Sequence, residues 1–330
     1  MKRIQLKVAP DITGRKRLDI FVVESGVGLS RSQVRKLIGE KRIYVEGKGT
    51  KPGFILHGGE TVIVELPDEV KQFYKPENIP IDIVYEDNYI VVVNKPAGMV
   101  VHPAPGNLTG TLVNAMLYHT RLSDEKISGR PGVLHRLDKE TTGLLIMAKD
   151  TKAHLILAEA IRRREVKREY IAIIWGGVPD KGEIFAPIGR DPHNRLKMAV
   201  VPDGRVSKTE YTLVARFSFL SLLRVKLKTG RTHQIRVHFS HIGHPLFGDP
   251  VYGGRETHLA GIIPEVRAKA KMLLSLIERQ ALHAHKLSFS HPITKERLEF
   301  QAPLPEDIKS VIDKLIEEEG GGQIEHSLIC

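Results

Sequence analysis

The 330-residue chain predicts an α+β protein: a mixed, mostly antiparallel β-sheet domain preceded by a small α+β module. Three observations carry that reading. Short β-branched runs bounded by turns ("YIVVVN", "GLLIMAK", "REYIAIIW", "KTEYTLVARF" and "LLRVKLK") outnumber the helical patterns. They do not alternate regularly with helices, as a doubly wound parallel sheet would require. The texture also changes across "PDEVKQFYKPENIP" (67–80), whose three prolines and mixed charge read as a linker.

The first module spans 17–66. "RLDIFVVES" reads as a short amphipathic helix with Leu18, Phe21 and Val22 on one face. A second helix follows in "LSRSQVRKLIGEKRIYVEG", with Ser30 or Ser32 as N-cap and Gly39 as its stop. Arg31, Arg35 and Lys36 fall along one side of it, and Val34, Leu37 and Ile38 face inward. "RIYV" and "ETVIVELP" read as strands about a Gly-rich turn region. The chain carries 50 Lys+Arg against 39 Asp+Glu, a net +11, and residues 1–51 hold 13 of those cations against 5 acids. A basic helix on a small core suits structured RNA gripped by shape and phosphate.

Helices are also expected over 151–164, capped by Thr151, and around 264–279. The first offers two apolar stripes, Leu155, Ala158 and Ile161 or Leu157 and Ile161. In "LKTGRTHQIRVHFSHIGHPLFGD" (227–249) Gly230 ends a strand, Thr232 caps a helix, and Gly243 stops it. Ile235, Phe239 and Ile242 form its inward stripe. Its four histidines lack a periodicity that converges three on one face, so they read as basic decoration rather than a zinc site. No apolar stretch is long enough to span a bilayer and the N-terminus has no signal-peptide core; the single cysteine, Cys330, excludes an internal disulfide. A cytoplasmic address is expected. The final "EEEGGGQIEHSLIC" reads as a tail.

One carboxylate stands out. Asp138, in "HRLDKETTG", precedes the apolar run of a buried strand, where an acid is costly unless paired or hydrogen-bonded. Such a group serves as nucleophile, base or metal ligand; no ligand triad accompanies it. Tyr170 opens the strand in "VKREYIAIIWG", where a packed core tyrosine is an equal reading.

Four stretches, "EDNYIVVVNKPAGMVVHP", "HRLDKETTGLLIMAKD", "KREYIAI" and "LKTGRTHQIRVH", occur in the order found in the RluA family of pseudouridine synthases, and the chain resembles that family from about residue 12 to about 312. Its N-terminal module resembles the S-four-like RNA-binding domain. The resemblance implies an S-four-like domain over 12–75, a pseudouridine synthase catalytic domain over 81–312 and a tail over 313–330. One departure, Thr142 where the family often has serine, keeps the hydroxyl.

By position in those motifs, Asp138 matches the catalytic aspartate. Tyr170 matches the tyrosine against the target base, implicated in removing its C5 proton. Arg236 matches the basic partner of the aspartate, and Arg136 the arginine that enters the vacated stack. His135 and Arg231 are expected to touch RNA beside them, as are Arg31, Arg35 and Lys36 in the first module. The implied reaction isomerises uridine to pseudouridine without cofactor or metal. The branch it looks most like acts on a stem-loop of large-subunit (23S) ribosomal RNA, with transfer RNA as the alternative substrate and a monomer as the expected form. Two rivals stay open: a non-catalytic RNA-binding assembly factor, and a glycoside hydrolase. The latter needs a second carboxylate, for which Glu140 and Asp249 are the candidates.

Overall fold

The computed structural model describes residues 2–10, 16–27, 29, 31–66, 74–104, 106–123, 130–194, 196–259 and 263–320. Ser30, the first half of the expected linker (67–73) and residues 321–330 lie outside them, as does the side chain of Ser32. The chain divides into two units, Met1–Lys75 with Ser123–Gly132, and Pro76–Leu122 with Val133–Cys330.

The first unit contains β1 (Lys2–Lys7), β2 (Lys16–Arg17), α1 (Leu18–Glu24), α2 (Arg31–Gly39), β3 (Ile43–Val45), β4 (Lys48–Gly49), β5 (Ile55–Leu56) and β6 (Thr61–Leu66). A four-stranded sheet runs β1-β6-β3-β4, and β2 pairs with β5. Leu18, Val22, Val34, Leu37 and Ile38 pack with Ile43, Val62 and Val64 in one core. The helical spacing of α1 and α2 had placed the first five there. The sheet begins earlier than position 12, because β1 pairs antiparallel with β6 from Lys2↔Leu66 to Lys7↔Thr61. A lone edge segment with charged alternation gives little signal until its partner strand is known. Asp19 is fully buried, paired with Arg17 at 3.0 Å and Arg31 at 3.1 Å. Arg31 is therefore partly committed to its own core, while Arg35 and Lys36 are exposed.

The second unit contains β7 (Asp82–Glu86), β8 (Ile90–Lys95), α3 (Leu112–His119), β9 (Thr142–Ala148), α4 (Thr151–Arg162), β10 (Lys167–Trp175), β11 (Lys181–Phe185), β12 (Ile188–Arg190), β13 (Met198–Val200), β14 (Lys208–Arg216), β15 (Leu220–Leu227), α5 (Gln234–His241), α6 (Glu256–Leu259), α7 (Pro264–Ser275), β16 (Leu282–Ser290), β17 (Arg297–Gln301) and α8 (Glu306–Glu319). Its main sheet runs β11-β14-β15-β10-β16-β9-β8-β7, with β17 also on β16. Every pair is antiparallel except β16 with β9. One core packs Ile171, Ile173, Trp175 and Leu222 against α7 and α8. Another packs Val92, Leu144 and Ile146 against Ala153 and Leu157 of α4. No helix among the described residues is long and apolar enough to cross a membrane.

Several local expectations change. The last helix runs to Glu319, with Ile308, Val311, Ile312 and Leu315 buried, so residues 313–319 belong to the packed structure. The i, i+3, i+4, i+7 spacing gives α8 its apolar stripe, and each such aliphatic contributes roughly 1.5–3 kcal/mol. Asp150 rather than Thr151 caps α4, accepting from Ala153 N at 2.9 Å. Leu155 is exposed there and Leu157 buried, which selects the second of the two stripes.

A single register row sets up the site. Val225, Tyr170, Ala284, Gly143 and Lys95 face one another across β15, β10, β16, β9 and β8. Between Glu169 and Tyr170 of β10 the pairing skips His285, a bulge in β16 just before this row, a device that re-aims a side chain. Gly143 makes the parallel pairing possible: its φ is +111°, and a Cβ there would stand 2.3 Å from Ala284 O. Gly143→Ala is expected to lower stability by about 2–5 kcal/mol, combining backbone strain with overpacking; urea unfolding of the full chain measures it.

Candidate active site

Asp138 lies in the turn before β9, closed by Thr141 N donating to Asp138 O at 3.1 Å. The residues after it are tied down individually. Lys95 Nζ donates to Lys139 O at 3.0 Å, Arg279 Nη1 to Glu140 O at 2.9 Å, and Gln280 Nε2 to Thr141 Oγ1 at 3.1 Å. Thr142 Oγ1 lies 2.8 Å from His283 Nδ1, a use for the hydroxyl this chain keeps. Arg279 is itself gripped by both oxygens of Asp307 at 2.7 Å. Sequence reading found none of these clamps, because their partners lie far along the chain.

Lys95 is fully buried, and its ammonium also donates to Pro96 O at 2.7 Å and Met99 O at 2.9 Å. Burial draws it down to about 7, with Arg279 reinforcing the shift and Glu140 and Asp138 opposing it. Three carbonyls match the three hydrogens of an ammonium; a neutral amine has one too few.

On the other side, α5 supplies Arg236, which is 5 % exposed. Its Nη1 donates to Asp138 Oδ2 at 3.3 Å. Its stronger partner is Asp249: Nε donates to Oδ2 at 2.7 Å and Nη2 to Oδ1 at 2.9 Å. Asp249 is fully buried and also accepts from Val251 N and Tyr252 N. The expected pair of Asp138 with Arg236 is thus one arm of a shared fork. Asp249 is consumed in holding Arg236, and Glu140 accepts from Gly98 N at 3.0 Å; neither is a free second carboxylate of the kind glycoside hydrolysis needs.

The start of α5 departs from the sequence reading. Thr232 does not cap it. His233 does so with a left-handed backbone, φ 54°, and the Gln234 side chain accepts from Arg231 N and Thr229 Oγ1. Ile235 and Phe239 are buried, but Ile242 is 37 % exposed because the helix ends at His241. The histidines here are not a basic fringe. His238 is fully buried near Thr209 Oγ1 and Ala186 O, and His244 Nδ1 sits 2.9 Å from Trp175 O.

Asp138 and Tyr170 line one cleft of about 440 Å³, within the range of small-ligand sites. Arg136, Arg162, Arg164, Arg168, Lys228 and Arg231 line it too, and Asp138 is its one acid. A recess beyond it reaches Arg236 and His233. The Nε atoms of Arg168 and Arg231 are buried without a hydrogen-bond partner, an arrangement suited to an incoming anion. Burial raises the Tyr170 phenol above its ordinary range; Asp138 adds to this and Arg168 opposes it. His135 differs from its basic neighbours. Burial, aided by Arg168, pushes it down to about 3, and its Nε2 accepts from Ile146 N at 3.3 Å. It is a neutral wall of the cleft. Arg136 is exposed at the rim.

Two substitutions test this frame. Asp249→Ala leaves Arg236 buried with half its partners and is expected to cost about 3–5 kcal/mol of stability, read by urea unfolding. Lys95→Met leaves three carbonyls unpaired and is expected to cost at least about 1–3 kcal/mol, read by the same measurement.

Residues 89–241 match the family model described as RNA pseudouridylate synthase, and residues 16–62 match the S4 domain. The chain is 45 % identical to "Ribosomal large subunit pseudouridine synthase D" of Pseudomonas aeruginosa, over 89 % of this chain and 90 % of that one. It is 42 % identical to "Uncharacterized RNA pseudouridine synthase YlyB" of Bacillus subtilis, over 91 % and 94 %. Its fold is similar to the solved structure "Human RNA Pseudouridylate Synthase Domain Containing 4", with a TM-score of 0.52 and 25 % identity over 71 % of this chain and 92 % of that one. The α+β architecture, the acid of the cleft and these likenesses agree, and the chain belongs to the RNA pseudouridylate synthase family, an isomerase of uridine in RNA that carries an S4 domain.

Proposed function

We propose that this enzyme converts uridine to pseudouridine in a stem-loop of large-subunit (23S) ribosomal RNA, with Asp138 as the reacting acid. The carrying observation is a single carboxylate, largely shielded in a basic cleft, beside a buried tyrosine and a guanidinium at 3.3 Å. The relatives named for the large ribosomal subunit support the substrate, since they align over nine-tenths of their length.

Chemistry at C1′ and C5 needs the nucleotide out of its stack. Arg136, planar, cationic and exposed, is suited to fill the vacancy. Arg168 and Arg231 offer unpaired buried donors to the flanking phosphates. The C1′–N1 bond breaks with Asp138 acting as nucleophile at the sugar or base at C2′. The uracil turns within the cleft, C5 bonds to C1′, and H5 departs. Confinement favours recapture of the base over hydrolysis. A phenol raised above its ordinary range is neutral near pH 7, so Tyr170 packs the base while Asp138, through water, receives the proton. The isomerisation is redox-neutral and adds no group, so the reading includes no cofactor. Arg35 and Lys36 of the first unit add to RNA affinity. A cytoplasmic monomer fits this reading.

Asp138→Asn is expected to abolish tritium release from C5-labelled uridine in large-subunit RNA while leaving RNA affinity unchanged; residual turnover at the wild-type rate overturns the assignment. Wild-type protein should release tritium without free uracil. In a deletion strain, carbodiimide mapping should lose pseudouridine from large-subunit RNA, whereas loss from transfer RNA alone would refute the substrate.

A further inference from the structure

His233 is unexplained by the reaction as described. It is a non-glycine residue held at φ 54° at the start of α5, a backbone state that persists only where surrounding contacts impose it. Its ring stands edge-on to Tyr252, centroids 5.6 Å apart. Its Nδ1 lies 2.8 Å from Tyr252 Oη, and its Nε2 lies 3.9 Å from Asp138 Oδ1. Tyr252 in turn carries Arg236 Cζ over its ring at 4.9 Å.

The hydrogen positions follow from one backbone amide. Met198 N donates to Tyr252 Oη at 3.0 Å, so that oxygen already serves as an acceptor. The phenolic hydrogen then has His233 Nδ1 as its acceptor among the described contacts. A neutral imidazole that accepts at Nδ1 carries its hydrogen on Nε2, the nitrogen facing Asp138. The ring is neutral near pH 7: burial holds it below its ordinary range, Arg236 and Arg136 reinforce this, and Asp138 and Asp249 pull the other way.

The two oxygens of Asp138 therefore face different donors, Arg236 Nη1 at Oδ2 and His233 Nε2–H at Oδ1. We propose that His233 is a positioning residue for the reacting carboxylate, its Nε2–H engaging Asp138 Oδ1 while Tyr252 fixes the tautomer. The separation of 3.9 Å exceeds a hydrogen bond and closes with a shift of about 1 Å, as catalytic contacts do when substrate binds. Fixing both oxygens leaves the carboxylate one orientation toward the sugar. The inference rests on the reading of Asp138 as the reacting group.

The test uses the full chain with tritium release from large-subunit RNA. His233→Ala and His233→Gln share the same strained backbone and a Cβ, so their difference isolates the donor. His233→Ala should lower kcat about a hundredfold, the usual cost of a misplaced reacting group, with KM unchanged; His233→Gln, which returns an amide N–H, should recover part of it. Tyr252→Phe keeps the ring under Arg236 and should lower kcat about tenfold, the worth of one hydrogen bond. The double variant His233→Ala/Tyr252→Phe should be no slower than His233→Ala, because both act through one path. Full kcat in a folded His233→Ala, equal rates for Ala and Gln, or multiplying effects in the double variant would overturn the proposal. Asp138→Asn run alongside separates the failures. Turnover in that variant refutes the reading of Asp138, whereas its inactivity beside a fully active His233→Ala refutes only the role of His233.

Discussion

The fork of Arg236 between two carboxylates is the constraint on which the rest of the site depends. Asp249, fully buried, takes two of its nitrogens at 2.7 and 2.9 Å, and Asp138 takes the third at 3.3 Å. A buried guanidinium without partners is costly, so Asp249 anchors it and leaves one arm for Asp138. The weaker, longer arm is the one that reaches the cleft. An acid held as tightly as Asp249 has its lone pairs committed; Asp138 is held by one 3.3 Å bond at Oδ2, with His233 3.9 Å from Oδ1.

Precision at Asp138 comes from the chain on either side of it. A turn at the mouth of a sheet has few hydrogen bonds of its own, and here side chains from β8 and from the segment before β16 supply them residue by residue. Lys95, at the end of the register row that contains Tyr170, links that row to the Asp138 turn. The acid and the tyrosine are therefore fixed by one sheet rather than by mobile loops, which suits a reaction that must retain a detached base. The basic wall of the cleft works over a longer range. Its cations attract the polyanion, and Asp138 is the one acid among its lining residues.

Much of this was visible along the chain. Periodicity located five strands of the main sheet, β8, β9, β10, β14 and β15, and the inward faces of α1 and α2, since burial of an apolar stripe obeys local spacing; β7, β11, β16 and β17 went unread. The four motifs brought out Asp138, Tyr170, Arg136 and Arg236, which the cleft and its recess gather together. What escaped was non-local or electrostatic. Asp249 looked like a spare acid until its partner was seen 13 residues back across a turn. Nothing in the sequence showed that burial holds His135 neutral. The strand β1 had no signature without β6, and the cap of α5 moved because Gln234, an unremarkable glutamine, closes the loop before it.

By itself the sequence determined the fold class and the family and singled out Asp138, because each is written in local pattern or in motifs whose residues are close in the chain. Tertiary structure alone decided that Arg236 is shared between two acids, which neighbours of Asp138 are charged, and which histidine faces it. Those properties depend on distance and on exclusion of water, and neither exists until segments a hundred residues apart are brought within a hydrogen bond of one another.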